Sequence, residues 1–216
     1  MSTIVVDYDA GNLRSVETAL AHLGADFTVT SDPDVVRRAS RIVFPGVGDG
    51  AHAMRVLAER GLVDAMHDGF RSGVPILGIC VGCQIVLDRT EEHDARCLGL
   101  IPGVARRFVF AHDAEASGGS ERIAMDRLKI PHMGWNQVDA RSGHWLFDGV
   151  PERSSFYFVH SYYPDPVAPA DEIAHTEYGI TFASALERDN LVAVQFHPEK
   201  SGPVGLRVLG NFLERR

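Results

Sequence analysis

The chain has 216 residues, 45% of them apolar, a net charge of −8 and three cysteines. That length and apolar share suit one α/β domain over residues 1–216, and an acidic balance without a basic block argues against nucleic acid or an anionic membrane as the main partner. Cys80, Cys83 and Cys97 are too few, and odd in number, for a disulfide framework, and Met1-Ser2-Thr3 leads into an apolar run without a basic leader. A reducing, cytoplasmic location is therefore expected, with no export signal and no membrane span.

Thr3 to Tyr8 reads as a buried strand, followed by a Gly11-Asn12 turn and a helix carrying Leu13, Val16, Leu20 and Leu23 on one face. Asp26 to Thr30 is a second strand. Ser31-Asp32-Pro33 opens a short helix through Arg38, with proline near the first turn where its missing N–H does no harm. Arg41 to Phe44 is the third strand, ending at Pro45-Gly46-Val47-Gly48, where the glycines let backbone N–H groups point outward together. Ala51 to Phe70 holds one long or two short helices with a break near Gly61, and Pro75 then opens a strand that ends on Cys80.

Beyond Glu91 to Asp94 the runs shorten and glycine, proline and aromatics punctuate them, as in Leu100 to Phe108. This texture suggests antiparallel strands appended to a parallel core. Residues 111–121 carry no apolar pattern and are expected to form a surface loop. Strand-like runs follow at Ile130 to Val138, Ser155 to Tyr163, Ile180 to Leu186 and Leu191 to Phe196, and a helix from about Pro203 to Leu213 closes the chain. No internal repeat or low-complexity tract is visible. Strands alternating with helices, each strand a nearly continuous apolar run, imply an α/β fold: a mainly parallel sheet covered by helices on both faces, with appended antiparallel strands. Ligand sites in such sheets gather beyond the carboxyl ends of the strands, where Gly46, Gly48 and Cys80 fall.

Cys80 stands between Gly78 and Gly82 at the end of an apolar run. A strand that turns abruptly into a helix needs such small neighbours, because the residue at the turn is held in a strained conformation. The start of a helix also favours thiolate over thiol. Three readings of Cys80 stand: a packed thiol, half of a redox pair with Cys83 in a C-x-x-C pattern, or a nucleophile. The redox reading leaves the flanking glycines and Gln84 unexplained. A zinc site has little support, since Cys97 has no paired cysteine and the nearby histidines lack ligand spacing. A nucleophile needs a base, and Gln195-Phe196-His197-Pro198-Glu199 offers one. Residues two apart in an extended segment face the same side, so His197 and Glu199 can project together, the carboxylate fixing the tautomer of the imidazole. The plainer reading of Glu199 is a solvated acid at a strand end.

Gly78, Cys80, Gly82 and Gln84, with the later His197-Pro198-Glu199, resemble the G-x-C-x-G-x-Q elbow and H-P-E of the class I glutamine amidotransferases, which have a flavodoxin-like fold. Further segments resemble the branch of that family serving histidine biosynthesis: Asp7 to Val16, Pro45 to Gly48, Pro131 to Asn136, Tyr157 to Tyr162 and His197 to Gly202. Asp9 stands where the family usually has Gly, Cys83 where it usually has Met, and residues 111–121 look like an insertion. The resemblance implies a glutaminase with a Cys80, His197 and Glu199 triad. The oxyanion would be held by the backbone N–H of Val81 and by the Pro45 to Gly48 turn at Val47 and Gly48. Gln84, Gly48, Ser161 and Tyr162 would bind glutamine, although Ser161 and Tyr162 read by themselves as strand packing. No cofactor or metal is implied.

Ammonia set free in water at neutral pH is protonated and lost as a nucleophile, so such a glutaminase works docked on a synthase. The resemblance implies a heterodimer with a (β/α)₈-barrel cyclase subunit that makes imidazole glycerol phosphate and aminoimidazole carboxamide ribotide. Trp135, Asn136, Tyr157 and Lys200 are then candidates for the docking face and ammonia gate, with Trp135 alternatively a core aromatic and Lys200 a solvated charge. The family also implies a partner-driven switch around Val47. Glutaminases of anthranilate, aminodeoxychorismate or pyridoxal phosphate synthesis are the nearest rivals, from which Asp7 to Val16 and Pro131 to Asn136 distinguish this chain. A cysteine peptidase or a redox protein of similar fold is the rival from another class, and the presence of all three triad residue types disfavours a non-catalytic binding module.

Overall fold

A computed structural model describes residues 2–9, 12–110 and 128–215; the 111–121 segment and Gly11 of the expected turn lie outside them. The first half alternates as the apolar runs demand: β1 (Thr3–Val6), α1 (Leu13–His22), β2 (Phe27–Thr30), α2 (Pro33–Arg37), β3 (Arg41–Gly46), α3 (Gly50–Glu59), α4 (Leu62–Arg71), β4 (Ile76–Cys80) and α5 (Val81–Ile85). Local chemistry sets several boundaries. Asp32 caps α2 by accepting from the N–H of Asp34 at 2.8 Å, with Pro33 in the first turn. Asp49 caps α3 through the N–H of His52 at 2.7 Å. Gly61, at φ 69°, separates α3 from α4, so the Ala51 to Phe70 stretch is two helices.

Shorter strands follow: β5 (Arg89–Thr90), β6 (Ala95–Arg96), β7 (Gly103–Arg107), β8 (His132–Gln137), β9 (Asp139–Ala140), β10 (Ser155–His160), β11 (Tyr162–Pro166), β12 (Glu172–Glu177), β13 (Thr181–Arg188) and β14 (Leu191–Val194), before α6 (Gly202–Glu214). The main sheet has the order β2-β1-β3-β4-β14-β13-β12-β9. Its first five strands are parallel, and β13, β12 and β9 continue it antiparallel. The expected antiparallel additions thus extend the main sheet as well as forming two small ones, β10-β8 and β11-β7-β5-β6.

Because side chains alternate across a strand, the parallel strands feed two cores. Ile4, Val6, Ile42, Phe44 and Ile76 pack with Leu57, Leu62 and Met66 of α3 and α4. Val5, Val43, Leu77 and Ile79 pack with Val16 and Leu20 of α1 and with Val208, Leu209 and Phe212 of α6. Both faces are covered, as continuous apolar strands require.

Two expectations need correction, and one strand is new. The third strand runs two residues past Phe44, to Gly46; β1 pairs it only as far as Val43, so the missing N–H of Pro45 faces no ladder on that side. The Ser155 to Tyr163 run breaks at Ser161 into β10, paired with β8, and β11, paired with β7. As an edge strand, β11 tolerates Pro164 and Pro166. Strand β12 was not expected from the sequence: its Glu172, His175 and Glu177 are polar, while Ile173, Ala174 and Thr176 are buried.

Candidate active site

The carboxyl ends of β3, β4 and β14 meet at one place. Gly46 pairs with Cys80, and Ile79 with Val194, which leads directly into Gln195 and His197. Cys80 ends β4 and caps α5 at φ 55° and ψ −106°, a backbone conformation that L residues rarely adopt. The surroundings hold it there. A Cβ on Gly82 would run into the carbonyl oxygen of Phe44, and one on Gly78 would lie 2.9 Å from the carbonyl oxygen of Gly82. The small residues flanking Cys80 are therefore a packing requirement of the elbow.

Cys80 is 2% exposed. Its Sγ lies 3.8 Å from the carbonyl oxygen of Val159 and receives the amide of Gln195 at 3.7 Å. Cys83 packs into the core on the other face of the sheet, where burial, followed by the charge of Cys80, pushes its thiol well above the usual range. Such a thiol is a poor partner for thiolate exchange.

His197 and Glu199 do meet, with Nδ1 to Oε1 at 2.7 Å and both side chains buried. The reason differs from the expected one. Pro198–Lys200 forms a single 3₁₀ turn, which folds the carboxylate back onto the imidazole. The turn is locked from both sides: the His197 N–H donates to the Tyr157 carbonyl at 2.9 Å, while Ser201 Oγ donates to the His197 carbonyl at 2.6 Å and accepts from the Tyr157 N–H at 3.0 Å. Asn12 donates to the same Glu199 oxygen at 2.5 Å. His197 Nε2 and Glu199 Oε2 are buried without a hydrogen-bond partner among the described residues. Burial pushes the His197 imidazole down, but the negative sulfur of Cys80 and the carboxylate of Glu199 outweigh it and raise the group to about 10. Cys80 is thus the group that acts on His197 from the side of its free Nε2.

Val81 is the first residue of α5, so its N–H has no partner within the helix. Val47 is half-buried and Gly48 exposed, the latter at φ 95°. Gln84 is 4% exposed, and its Nε2 is committed to the Tyr162 carbonyl at 2.9 Å and to Gln195 Oε1 at 3.0 Å. Ser161 and Tyr162 are half-buried at the β10–β11 break.

The β8–β10 ribbon separates the four interface candidates. Trp135 faces outward, 59% exposed, with its ring 6.1 Å from that of Tyr157, and exposed Lys200 places Nζ 5.9 Å from the Tyr157 ring. Trp135 is not a core aromatic. The Tyr157 ring lies 6.4 Å from that of His197, so this cluster borders the His197–Glu199 pair. Asn136 turns to the other face, where its Nδ2 donates to the Glu177 carbonyl at 2.8 Å.

Sequence reading assigned no role to Asn12 or Gln195. Gln195 carried a usable signal, a polar side chain in an otherwise apolar strand end. Asn12 carried only its turn propensity; it adopts φ 61°, a left-handed conformation that Asn tolerates better than most residues. Among the described residues, no three His, Cys, Asp or Glu side chains are grouped so as to hold a metal ion, and no helix is long and apolar enough to cross a membrane.

A family model described as Glutamine amidotransferase class-I matches residues 4–215. A relative from Desulfovibrio desulfuricans named "Imidazole glycerol phosphate synthase subunit HisH" is 49% identical over 210 residues, covering 97% of this chain and 93% of the relative. One of the same name from Nitrosospira multiformis is 44% identical over 211 residues, covering 97% of this chain and 95% of the relative. Among solved structures, PurLQS from Thermotoga maritima superposes with a TM-score of 0.72 at 16% identity, covering 98% of this chain and 97% of that one. A structure described as a glutamine amidotransferase gives 0.68 at 17% identity, with 98% and 97% covered.

Proposed function

Since the chain belongs to the class I glutamine amidotransferases, we propose that it is the glutaminase subunit of an imidazole glycerol phosphate synthase, acting as one domain over residues 1–216. It hydrolyses glutamine to glutamate and ammonia and hands the ammonia to a cyclase partner. The observation that carries this reading is the buried His197–Glu199 pair, whose unpaired Nε2 is under the influence of Cys80. The identity to the named relatives supports the choice of synthase.

In the proposed reaction the Cys80 thiolate attacks the side-chain amide carbon of glutamine and forms a C–S bond. The carbonyl oxygen takes up negative charge, stabilised by the Val81 N–H and by an N–H of the Val47-Gly48 turn. When the tetrahedral intermediate collapses, the C–N bond breaks and the His197 imidazolium gives its proton to the departing nitrogen, releasing ammonia. The neutral His197 then takes a proton from water as it attacks the thioester, which releases glutamate and restores the starting pair. Glu199 and Asn12 hold the imidazole in place. Gly48, Ser161 and Tyr162 bind the glutamine, while Gln84, its amide already occupied, acts by holding the wall of the pocket.

The exposed Met133 and Trp135, with Tyr157 and Lys200, form an apolar face with one cation beside the triad. This is where the (β/α)₈-barrel partner would dock to form the heterodimer and receive ammonia before it meets water. Replacement Cys80→Ala in the complex tests the whole reading. Glutamine-dependent turnover should fall by about 10³-fold or more, while turnover with added ammonia persists; glutamine hydrolysis at the parental rate would refute it.

A further inference from the structure

Two buried histidines lie outside the triad. His132 on β8 and His160 on β10 face each other across the ribbon, 3% and 5% exposed, with Nδ1 of His132 2.9 Å from Nε2 of His160. Their other ring nitrogens are also engaged. Asn136 Nδ2 approaches His132 Nε2 at 3.3 Å, and His160 Nδ1 lies 2.7 Å from the Tyr162 carbonyl. Since a carbonyl can only accept and the Asn136 amide nitrogen can only donate, both tautomers follow: Asn136 donates to His132, His132 to His160, and His160 to the Tyr162 carbonyl. The second lone pair of that carbonyl takes Gln84 Nε2 at 2.9 Å; the same Nε2 donates to Gln195 Oε1 at 3.0 Å, and Gln195 Nε2 reaches Cys80 Sγ at 3.7 Å.

We propose that His132 and His160 are positioning residues for glutamine hydrolysis, acting through the Tyr162 carbonyl, Gln84 and Gln195 on the sulfur of Cys80. The inference rests on Cys80 as the nucleophile. The path does not conduct protons, because two amides and a carbonyl interrupt it. Its function is orientation. Each amide has its donor and acceptor assigned by the next partner, so Gln195 must present N–H, and not C=O, to the sulfur. That N–H stabilises negative charge on the sulfur, whereas the oxygen would repel it. Without the pair, the Tyr162 carbonyl loses one of its two donors; the β10–β11 break keeps its backbone pairing with β7 and the Phe108 N–H on the Ser161 carbonyl at 3.0 Å, but the side-chain hold on the carbonyl that orients Gln84 is lost. Burial keeps both imidazoles neutral, pushing His132 down to about 4 and His160 to about 3, which is the protonation state that this donor order requires. A second proton on His160, at Nε2, would oppose the His132 N–H across 2.9 Å, and one on His132, also at Nε2, would oppose the Asn136 N–H across 3.3 Å.

The test uses the full chain bound to its synthase partner, with kcat and KM for glutamine measured and thermal melting recorded for every variant. His132→Leu should lower kcat about 10- to 100-fold, the cost of a misplaced reacting atom, with KM within about twofold of the parent. His132→Asn, which keeps an N–H in place of Nδ1, should remain within about twofold of the parent. Gln195→Leu should lower kcat as His132→Leu does, and because the histidine acts through Gln195, the double variant should be no slower than Gln195→Leu alone. Losses that add in the double variant, or a folded His132→Leu with parental kcat, would overturn the proposal. Should His132→Leu not fold, the other two variants decide: a slow Gln195→Leu beside a fast His132→Asn supports the relay, and equal rates in those two overturn it. Glutamine turnover in Cys80→Ala, by contrast, would refute the nucleophile assignment itself.

Discussion

His197 is charged near neutrality because of what surrounds it. Burial alone would keep the imidazole neutral; the negative sulfur of Cys80 and the carboxylate of Glu199 together raise it to about 10. In the proposed reaction the proton for departing ammonia would therefore be present across the neutral range, and kcat should hold until pH approaches that value and then decline. Glu199→Gln keeps the shape and removes one of the two negative charges. An opposite charge at this distance shifts a titration by about 1–3 units, so the alkaline limb of kcat should move down by at least about one unit. A kcat profile between about pH 6 and pH 10.5 reads this directly; an alkaline limb at the same pH in both proteins would show that Glu199 contributes orientation alone. Asn12 belongs to the same unit, since it bonds the carboxylate oxygen that bonds the imidazole, from 187 positions away in the chain. Cys80, His197 and Glu199 were legible from their neighbours in sequence. Asn12 was not, because nothing within its own turn reports which far segment the turn will face.

The elements that place these residues depend on close backbone approach. Helix α6 sits against the His197–Glu199 turn only because residue 205 is glycine; a Cβ there would penetrate the Pro198 carbonyl oxygen and lie 2.8 Å from Ser201 Cβ. Gly205→Ala should thus destabilise the protein by about 1–3 kcal/mol, as overpacking does, and should also lower kcat by displacing the turn. Chemical denaturation and glutamine turnover of the folded variant separate the two effects; a loss of stability with full turnover would mean that the helix shifts while the turn stays. Gly205 carries no local mark of this role, being one glycine in an ordinary amphipathic helix. By contrast, Gly78 and Gly82 announce themselves, because they bracket a cysteine at a strand end. The same difference runs through the fold. Strands β1, β3, β4 and β14 were legible because both of their faces are buried and their sequences are accordingly continuous and apolar. Strand β12 mixes half-buried Glu172 and His175 and exposed Glu177 with buried residues, and β5 and β6 have two residues each, too few to show any period. The break at Ser161 was hidden because β10 and β11 are both strands, and only their pairing partners differ.

For the molecule as a whole, the buried histidines set opposing pH dependences. His132 and His160 have folded values of about 4 and about 3, below the 6.5 of an unfolded histidine, so the unfolded chain binds more protons than the folded one at mildly acidic pH. Their contribution to stability is complete above about pH 6.5 and is lost progressively as pH falls toward 4, with a slope approaching about 1.4 kcal/mol per pH unit for each imidazole. His197 has the reverse sign. With a folded value of about 10, it contributes fully below about pH 6.5 and loses its contribution as pH rises toward 10. Below pH 6.5, His197 is protonated in both states and cannot offset the other two. Stability should consequently peak near pH 6.5 to 7 and fall on both sides, the acidic slope belonging to the ribbon and the alkaline slope to the triad. Urea midpoints at about pH 4.5, 5.5, 6.5, 8 and 9 test this assignment when the parent is compared with His132→Asn. Removing one of the two ribbon imidazoles should cut the acidic slope by about half and leave the alkaline slope unchanged. An acidic slope equal to the parent's would transfer the acid sensitivity to other groups, and a changed alkaline slope would mean that the ribbon pair and the triad titrate as one unit.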